Sequence, residues 1–517
     1  MNENLLKIIA NEISVDDKKY EAATNRYKNL TEWITREKSR IRLLDPNVYV
    51  HGSFALGTAI NPLKSSDNDY DLDIFCRLDS ESTKTISQSE LKRVVGDEIK
   101  DYAKQYGMSV PEDNTRSWTI NYSESSHFHM DVIPAIPKYS DVKNTNSFIP
   151  YKKSAFYNVL MTHWDKQSNP KGYLEWFKDQ MKEEFNERRR VLAINESVTI
   201  EKVPYYRVRT VLQGIVILLK RHRDVYFDRC TDPYIKDHSV SSIIISTLAG
   251  LCYNKQRNLA DAFIYVIENL ENGMDEKANT GLIKFVVNES YNIGNKQYRI
   301  QNPANTEENF ADKWNEKPNK KVAFFEWLKQ LKVDGKALKN LLLSKTSKLD
   351  ILSKMFGDDI IKSVANQIND DIRNNEQNYI EPINASERAL SAYYVRIKAY
   401  CSSRSLDNIY DYDLSQYSIK SDERLNRGKH LLFVVDTNVV EPFDIYWQIS
   451  NKGVPAILED CLRGEIENGT KRVNGYKSRY QKSECTIYIG RHWIRCIIKK
   501  YGQTVAVSEK FYVNIVG

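Results

Sequence analysis

The chain has 517 residues, 41% of them hydrophobic, and a net charge of +6, enough length and apolar content for two or three domains with real cores. No apolar run approaches the roughly 18 residues of a membrane span. The longest candidate, Val211 to Leu219, is too short and flanked by charges, and Met1-Asn2-Glu3-Asn4 opens no secretory signal. Seven cysteines, at 76, 230, 252, 401, 461, 485 and 496, form no Cys-x-x-Cys pair, so a reducing cytoplasm is the expected location. Cys485, His492 and Cys496 read as two buried thiols and a surface imidazole rather than as zinc ligands.

In chain order, apolar residues at helical spacing from Leu5 to about Arg42 predict one or two helices bracing a sheet. Strands are expected at Val48 to His51, Tyr70 to Cys76 and His127 to Ile133, with a helix at Gln88 to Gln105 between the last two. Ser117 to Tyr122 and the turn-rich 123–126 predict a hairpin with the third strand. After Pro150 the pattern turns helical. Val208, Val211, Leu212, Ile215, Leu218 and Leu219 form one stripe, ending in Lys220-Arg221-His222-Arg223, where cations would complement a helix C-terminus. Further helices are expected at Ser241 to Tyr253, Asn258 to Glu271, Val322 to Leu331 and Leu349 to Arg373. Ser168-Asn169-Pro170-Lys171-Gly172-Tyr173 reads as a turn joining two lobes, and 303–309 as a turn at the mouth of a cleft or a helix-capping loop.

The chemistry concentrates early. In Tyr70-Asp71-Leu72-Asp73-Ile74, strand alternation sends both carboxylates to one face and the apolar residues to the other. In Phe128-His129-Met130-Asp131-Val132 the same alternation sets Asp131 on a non-core face. Alone, an Asp-x-Asp pair is an ordinary solvated strand edge and Gly52-Ser53 an ordinary loop. Three converging carboxylates, however, repel one another unless divalent cations neutralise them. Mg²⁺ is the expected pair of ions, with Mn²⁺ a substitute, because it takes oxygen ligands and accepts substrate phosphates. Asp71 and Asp73 are assigned to bridge both ions, and Asp131 to the one nearest an attacking hydroxyl. Gly52 would let the backbone approach a phosphate, to which Ser53 could donate.

The order Gly52-Ser53-Phe54, Gly57-Thr58, Asp71-x-Asp73, with His129 to Pro134, 168–173 and Glu308-Asn309-Phe310-Ala311-Asp312, resembles the SMODS group of polymerase-β-type nucleotidyltransferases, the bacterial relatives of cyclic GMP-AMP synthase (CD-NTases). The resemblance covers roughly the first 370 residues. It implies an α+β fold: a polymerase-β-like core of mixed sheet and helices at 1–160, and a helical lobe at 161–373. It further implies a cytoplasmic enzyme that builds nucleotide signals in antiphage defence, served by a separate effector protein. By the same resemblance Lys220 and Ser241, or its neighbour Ser242, hold the triphosphate; Ser241 could equally be a helix N-cap.

After a polar linker at 374–386 the pattern shifts to strands at 431–435, 443–449, 485–489, 493–499, 505–507 and 511–515, predicting a small β-sandwich over 387–517. Tyr446 to Gly453, Leu462-Arg463-Gly464 and His492-Trp493-Ile494 resemble the sensor module (AGS-C) attached to adenylyl or guanylyl cyclases and SMODS enzymes. Residues 387–517 hold 20 Lys or Arg against 15 Asp or Glu. Tyr476, Tyr480, Tyr488 and Trp493 lie among the cations, suited either to contact with an oligonucleotide product or to a solvated β surface with core aromatics. Charge reversal at Lys471, Arg472, Lys477 and Arg479 is expected to shorten that product or weaken ligand binding. Three functions follow: synthesis of a cyclic or linear oligonucleotide from (d)NTPs, with (d)ATP the first expectation; nucleotidyl transfer to an RNA, protein or small-molecule acceptor; or catalytically silent sensing.

Overall fold

The computed structural model describes residues 3–63, 70–122, 128–139, 144–160, 164–195, 199–272, 284–287, 296–341, 349–367, 393–406, 414–450, 466–469, 480–486 and 490–516. Its contacts divide the chain into two compact units, residues 6–340 with 351–360, and residues 361–517 with 1–5 and 341–350.

In the first unit, α1 (Glu3–Ile13) and α2 (Asp17–Thr35) precede a sheet of β1 (Pro46–His51), β2 (Tyr70–Leu78), β3 (Glu112–Asp113), β4 (Trp118–Asn121), β5 (Phe128–Pro137), β6 (Ser147–Phe148) and β7 (Gln167–Ser168), with α3 (Gly52–Leu56) and α4 (Gln88–Gln105) between strands. The strand order is β1-β2-β5-β4-β3, with β6 on β5 and β7 on β6. β2 runs parallel to β5 and antiparallel to β1. The period of two decides what each face does. Leu72, Ile74, Met130 and Val132 enter one core with Leu30 and Ile34 of α2 and Leu91, Val95 and Ile99 of α4. Phe75 and Ala135 join Ile149 in a separate small cluster. Asp71 and Asp73 therefore leave the main core by the side that Phe75 uses. The expected brace is present: Tyr27 Oη donates to the Val48 carbonyl at 3.1 Å and Trp33 Nε1 to the Glu98 carbonyl at 3.1 Å. Ser87 caps α4, accepting from Glu90 N at 3.2 Å.

The helical part contains α5 (Pro170–Gln180), α6 (Lys182–Asn195), α7 (Val211–Arg229), α8 (Pro233–Lys236), α9 (Ser242–Cys252) and α10 (Leu259–Asn272). Two short hairpins follow, β8 (Lys284–Val287) with β9 (Lys296–Arg299) and β10 (Gln301–Asn302) with β11 (Asn305–Asn309), and then α11 (Asp312–Glu316), α12 (Pro318–Leu341) and α13 (Leu349–Phe356). Three expectations change here. The segment 168–173, between β7 of the sheet and α5 of the helical part, is a helix start and not a free turn: the Asn169 side chain accepts from Gly172 N at 3.0 Å, and Pro170 takes the first turn. The stripe that seemed to end at Lys220 belongs to a helix that starts at Val211, where Thr210 and Gln213 form a capping box, and runs on to Arg229. Lys220 is thus mid-helix, and the macrodipole account of its charge fails. The expected helix from Leu349 breaks after Phe356, where Gly357 has φ +95°; its last residues, 368–373, lie outside the described residues. A buried relay ties α7 to α12. Trp327 Nε1 donates to His222 Nδ1 at 3.1 Å, which leaves Nε2 to donate to Asp334 Oδ2 at 3.1 Å.

The 303–309 turn is the β10–β11 hairpin, pinned to the start of α5 and to β7. Asn169 Nδ2 donates to the Ala304 carbonyl at 3.2 Å, and Glu307 accepts from Lys138 Nζ at 2.7 Å and Gln167 Nε2 at 3.1 Å. Next to it, Glu308 accepts from Asn302 Nδ2 at 2.7 Å, and burial pushes its carboxyl up to about 7. The folded state then binds the Glu308 proton more tightly than the unfolded chain, so stability falls as pH rises from about 4 through about 7. Glu308→Gln, which needs no proton, is expected to raise stability at pH 8 by about 1–3 kcal/mol and to flatten that slope. Thermal melts at pH 5 and pH 8 check this; equal gains at both would rule out the titration.

In the second unit, β13 (Ser418–Ile419), β12 (Val395–Ser402), β15 (His430–Thr437) and β18 (Gln481–Cys485) make a four-stranded sheet in that order. The other sheet runs β14 (Arg424–Asn426), β21 (Phe511–Val516), β19 (Gly490–Lys500), β16 (Asp444–Ser450) and β17 (Ile466–Asn468), with β20 (Gln503–Val507) on β19. Phe433, Trp447, Ile449, Ile498 and Val513 share its core. The strands predicted at 431–435, 443–449, 493–499, 505–507 and 511–515 are found; β18 ends where the one predicted at 485–489 was to begin, and 487–489 lie outside the described residues. β12 was missed because Val395-Arg396-Ile397-Lys398 alternates within a polar surround. Trp493 is buried but outside that core: Ile494, Cys496 and Ile498 of β19 enter it, and Trp493 lies on the other face of the strand with Lys510 Nζ 4.2 Å from its ring centroid. His492 is buried and Cys485 exposed, the reverse of expectation. β19 is flanked by strands on both sides, whereas β18 ends its sheet. Cys485 Sγ lies 3.6 Å from His430 Nδ1, and Cys496 is buried. The linker 374–386, the turn 123–126, and Lys471, Arg472, Tyr476, Lys477, Arg479 and Tyr488 lie outside the described residues.

Candidate active site

Sheet register assembles the carboxylates. β2 and β5 pair in parallel with Asp73 opposite Asp131 and Asp71 opposite His129, so all three aspartates leave adjacent strands on one side. His51, the last residue of β1, lies opposite Asp73. Asp71 is exposed while Asp73 and Asp131 are half-buried. Burial, then the charges of Asp71 and Asp131, hold the Asp73 carboxyl well above the usual carboxylate range, and only Lys220 opposes them. Burial also raises Asp131, against a hydrogen bond from Thr119 Oγ1, its partner across β4 and β5. Thr119 was missed by sequence reasoning, although the predicted hairpin held the signal.

Such a cluster binds a proton too readily unless cations neutralise it, and its donors are hard oxygens; on both counts the residues fit Mg²⁺. Among the described residues no three His, Cys, Asp or Glu side chains are close enough to cage an ion by themselves. That is compatible with an open site in which substrate phosphates complete the ligand set. Asp71, Asp73 and Asp131 would hold the ions.

The chain leaves β1 directly into α3. Gly52 has φ +65°, and a Cβ there would overlap the Asp73 carboxylate. Glycine is thus required twice over, for the left-handed backbone and for the approach of Asp73. His51 Nε2 is buried with no hydrogen-bond partner among the described residues, burial lowers its imidazole to about 4, and its ring meets Phe75 edge-on at 5.7 Å. A neutral imidazole therefore backs Asp73. Ser53 is half-buried in the first turn of α3, beside Gly52.

Helix α7 and Arg209, just ahead of it, grip the end of α3 and the loop that follows. Gln213 Nε2 donates to the Leu56 carbonyl at 2.9 Å, Arg209 Nη1 to Gly57 O at 2.7 Å, Lys220 Nζ to Thr58 O at 3.0 Å and Arg221 Nη2 to Asn61 O at 2.9 Å. Gly57, at φ +68°, makes room for the Gln213 amide. Lys220 is buried. Its ammonium is lowered to about 8, first by desolvation and then by Arg223, against the pull of Asp71 and Asp73. One turn on, Arg223 Nη1 donates to the Val240 carbonyl and to Ser242 Oγ, both at 2.9 Å. Ser241 stands at the N-cap position of α9 but makes no capping bond with its side chain, and it is exposed. Arg209 and Gln213 were not singled out from sequence, because a helix and the residues just ahead of it cannot be matched by spacing alone to a loop more than a hundred residues away.

Lys220→Met should raise the KM for the triphosphate roughly tenfold to a hundredfold, with a smaller change in kcat. Because the folded ammonium loses its proton near pH 8, wild-type kcat/KM should fall as pH rises through about 8 and the Met variant should lack that limb. An identical limb in both would remove Lys220 from the triphosphate.

A mixed sheet displaying three clustered aspartates beside a glycine-led helix, gripped by a cationic helix, defines a nucleotidyltransferase of polymerase-β-like fold. Residues 1–181 match the Second Messenger Oligonucleotide or Dinucleotide Synthetase (SMODS) domain, and residues 374–516 the Adenylyl/Guanylyl and SMODS C-terminal sensor domain. The chain thus carries a SMODS domain and, after it, a C-terminal AGS-C domain. It is similar to a protein of Roseivirga ehrenbergii named c-di-GMP synthase, 24% identical over 69% of this chain and 84% of that one. Its fold resembles the Bradyrhizobium diazoefficiens CD-NTase CdnG, solved in complex with GTP, at TM-score 0.52 and 19% identity over 71% of this chain and 99% of that one. A GTP-bound form of Vibrio cholerae DncV aligns at TM-score 0.40 and 15% identity, over 68% and 77% of the two chains. No helix among the described residues is long and apolar enough to cross a membrane.

Proposed function

We propose that this enzyme joins nucleoside triphosphates without a template into a cyclic or short linear oligonucleotide signal, using two Mg²⁺ ions, and that the signal serves antiphage defence. The observation that carries the reading is the alignment of Asp73 with Asp131 across parallel β2 and β5, with Asp71 on the same face. When bound, the ions would activate an attacking hydroxyl and steady the departing pyrophosphate. The chain's own part is to fix the three carboxylates, keep Gly52 clear of Asp73, and hold Gly57 through Arg209 and Thr58 through Lys220 of α7. Lys220 and Ser241 are proposed to steady the triphosphate. The name of the Roseivirga ehrenbergii relative supports ring closure and places GTP beside (d)ATP as a substrate to test first.

The test is incubation with each ribo- and deoxyribonucleoside triphosphate, singly and mixed, with Mg²⁺, Mn²⁺ or a chelator, followed by mass spectrometry before and after phosphatase. Oligonucleotide made without an added acceptor, and lost with chelator, is the expected result. A phosphatase-resistant product indicates a ring and a trimmed one a linear chain. An absolute need for an RNA, protein or small-molecule acceptor would sink the proposal.

A further inference from the structure

Outside the carboxylate site, residues of α1, α5, α6, the 207–209 segment and the 253–257 segment enclose a cavity of about 630 Å³, a volume in the range of small-molecule sites. Of its 17 lining residues seven are Lys or Arg and three are Glu. Two of the glutamates are already engaged: Glu184 accepts from Arg188 Nε at 2.7 Å and Val211 N at 2.9 Å, and Glu187 pairs with Arg257 at 3.8 Å. A concave surface with a cationic excess focuses positive potential. Met181, Val191 and Leu192 supply an apolar wall. The wall is also continuous with the catalytic loop. Arg209, which lines the cavity, donates to the carbonyls of Gly57 at 2.7 Å and Val15 at 3.3 Å. Glu184 holds the first N–H of α7, the helix whose Gln213 and Lys220 grip Leu56 and Thr58.

We propose that this cavity binds a small molecule carrying at least two negative charges on a partly apolar body, and that its occupancy draws Arg209 away from Gly57 and loosens the 53–61 loop. The ligand chemistry is that of a phosphorylated or polycarboxylated metabolite. Loosening matters for turnover only through the reading of Asp71, Asp73 and Asp131 as the catalytic site; binding itself does not rest on that reading.

The full chain, free of divalent ions and triphosphates, is titrated by calorimetry with inorganic pyrophosphate, AMP and citrate, which separate the phosphate and carboxylate sources. The titrations are repeated with Lys182→Glu/Lys255→Glu, two exposed residues of the cavity rim. At least one probe is expected to saturate at or below about 1 mM and to bind the double variant roughly tenfold more weakly. Hydrogen exchange of peptides spanning 53–61 should speed up with that probe in the wild type and stay unchanged in the variant. Equal affinity in both proteins, or no saturation by any probe below about 10 mM, overturns the site. Binding lost in the variant without any change in loop exchange overturns the coupling. Neither readout needs turnover, so a chain inactive on every triphosphate would count against the proposed function and not against this site.

Discussion

Asp71→Asn/Asp73→Asn is expected to lower product formation by a factor of about 10³ or more while leaving the fold intact. Each substitution keeps the side-chain shape and removes a charge that an ion would neutralise. The apo protein should become more stable. The folded state holds the Asp73 carboxyl well above its usual range, so at neutral pH the carboxylate is carried at a cost that rises as pH climbs from about 4, and an amide escapes it. Wild type should gain thermal stability from Mg²⁺ and the double variant should gain little. Enzyme assay, melts with and without Mg²⁺, and circular dichroism read these effects together. Retained turnover in the double variant would remove these carboxylates from the chemistry. Function retained in cells despite absent turnover would make sensing the better description.

The second large effect is expected from Gly52→Ala. A methyl group there meets the Asp73 carboxylate, and φ +65° disfavours any side chain. Either Asp73 rotates out of place or the β1–α3 junction shifts, and a displacement of about 1 Å at a reacting centre can slow turnover about 10²-fold. The backbone strain adds about 1–2 kcal/mol of destabilisation. The comparison is Gly57→Ala, where φ is +68° but the neighbour is the Gln213 amide. It should cost similar stability and less turnover. Equal losses of kcat in the two variants would show that strain, and not the placement of Asp73, explains the first.

Much of the site was legible because it obeys short-range rules. Asp71 and Asp73 are two residues apart on one strand, and Asp131 alternates with core residues in the same way. α4 was found at Gln88 to Gln105, its predicted bounds, because Ser87 caps it and its apolar stripe is regular. Lys220 shows where local reading stops. Its position at an apparent stripe end suggested a C-terminal cation, yet the helix runs nine residues further because Arg221, His222 and Arg223 point into tertiary partners and not into solvent. His222 finds Trp327 and Asp334, and Arg223 finds Val240 and Ser242. Hydropathy scores such residues as surface; burial of His222 and Arg223 is tolerable because the groups named here are met by a carboxylate, a carbonyl, a hydroxyl or an indole N–H. Arg221 reaches the Asn61 carbonyl through Nη2, while its Nε and Nη1 have no hydrogen-bond partner among the described residues.

The sequence by itself determined the chemistry: three aspartates on strand faces, a glycine where the backbone must turn, and a β-rich module after the helices. Those follow from side-chain alternation and from the conformational freedom of single residues, which act within a few positions of the chain. Only the tertiary structure decided that Asp73 faces Asp131 across a parallel pair, that Gly52 is required by Asp73's carboxylate, and that α7 holds the 56–61 loop by three hydrogen bonds and Arg209, just ahead of it, by a fourth. Register between distant strands and the docking of a helix on a loop depend on the whole core closing at once. No local pattern encodes them.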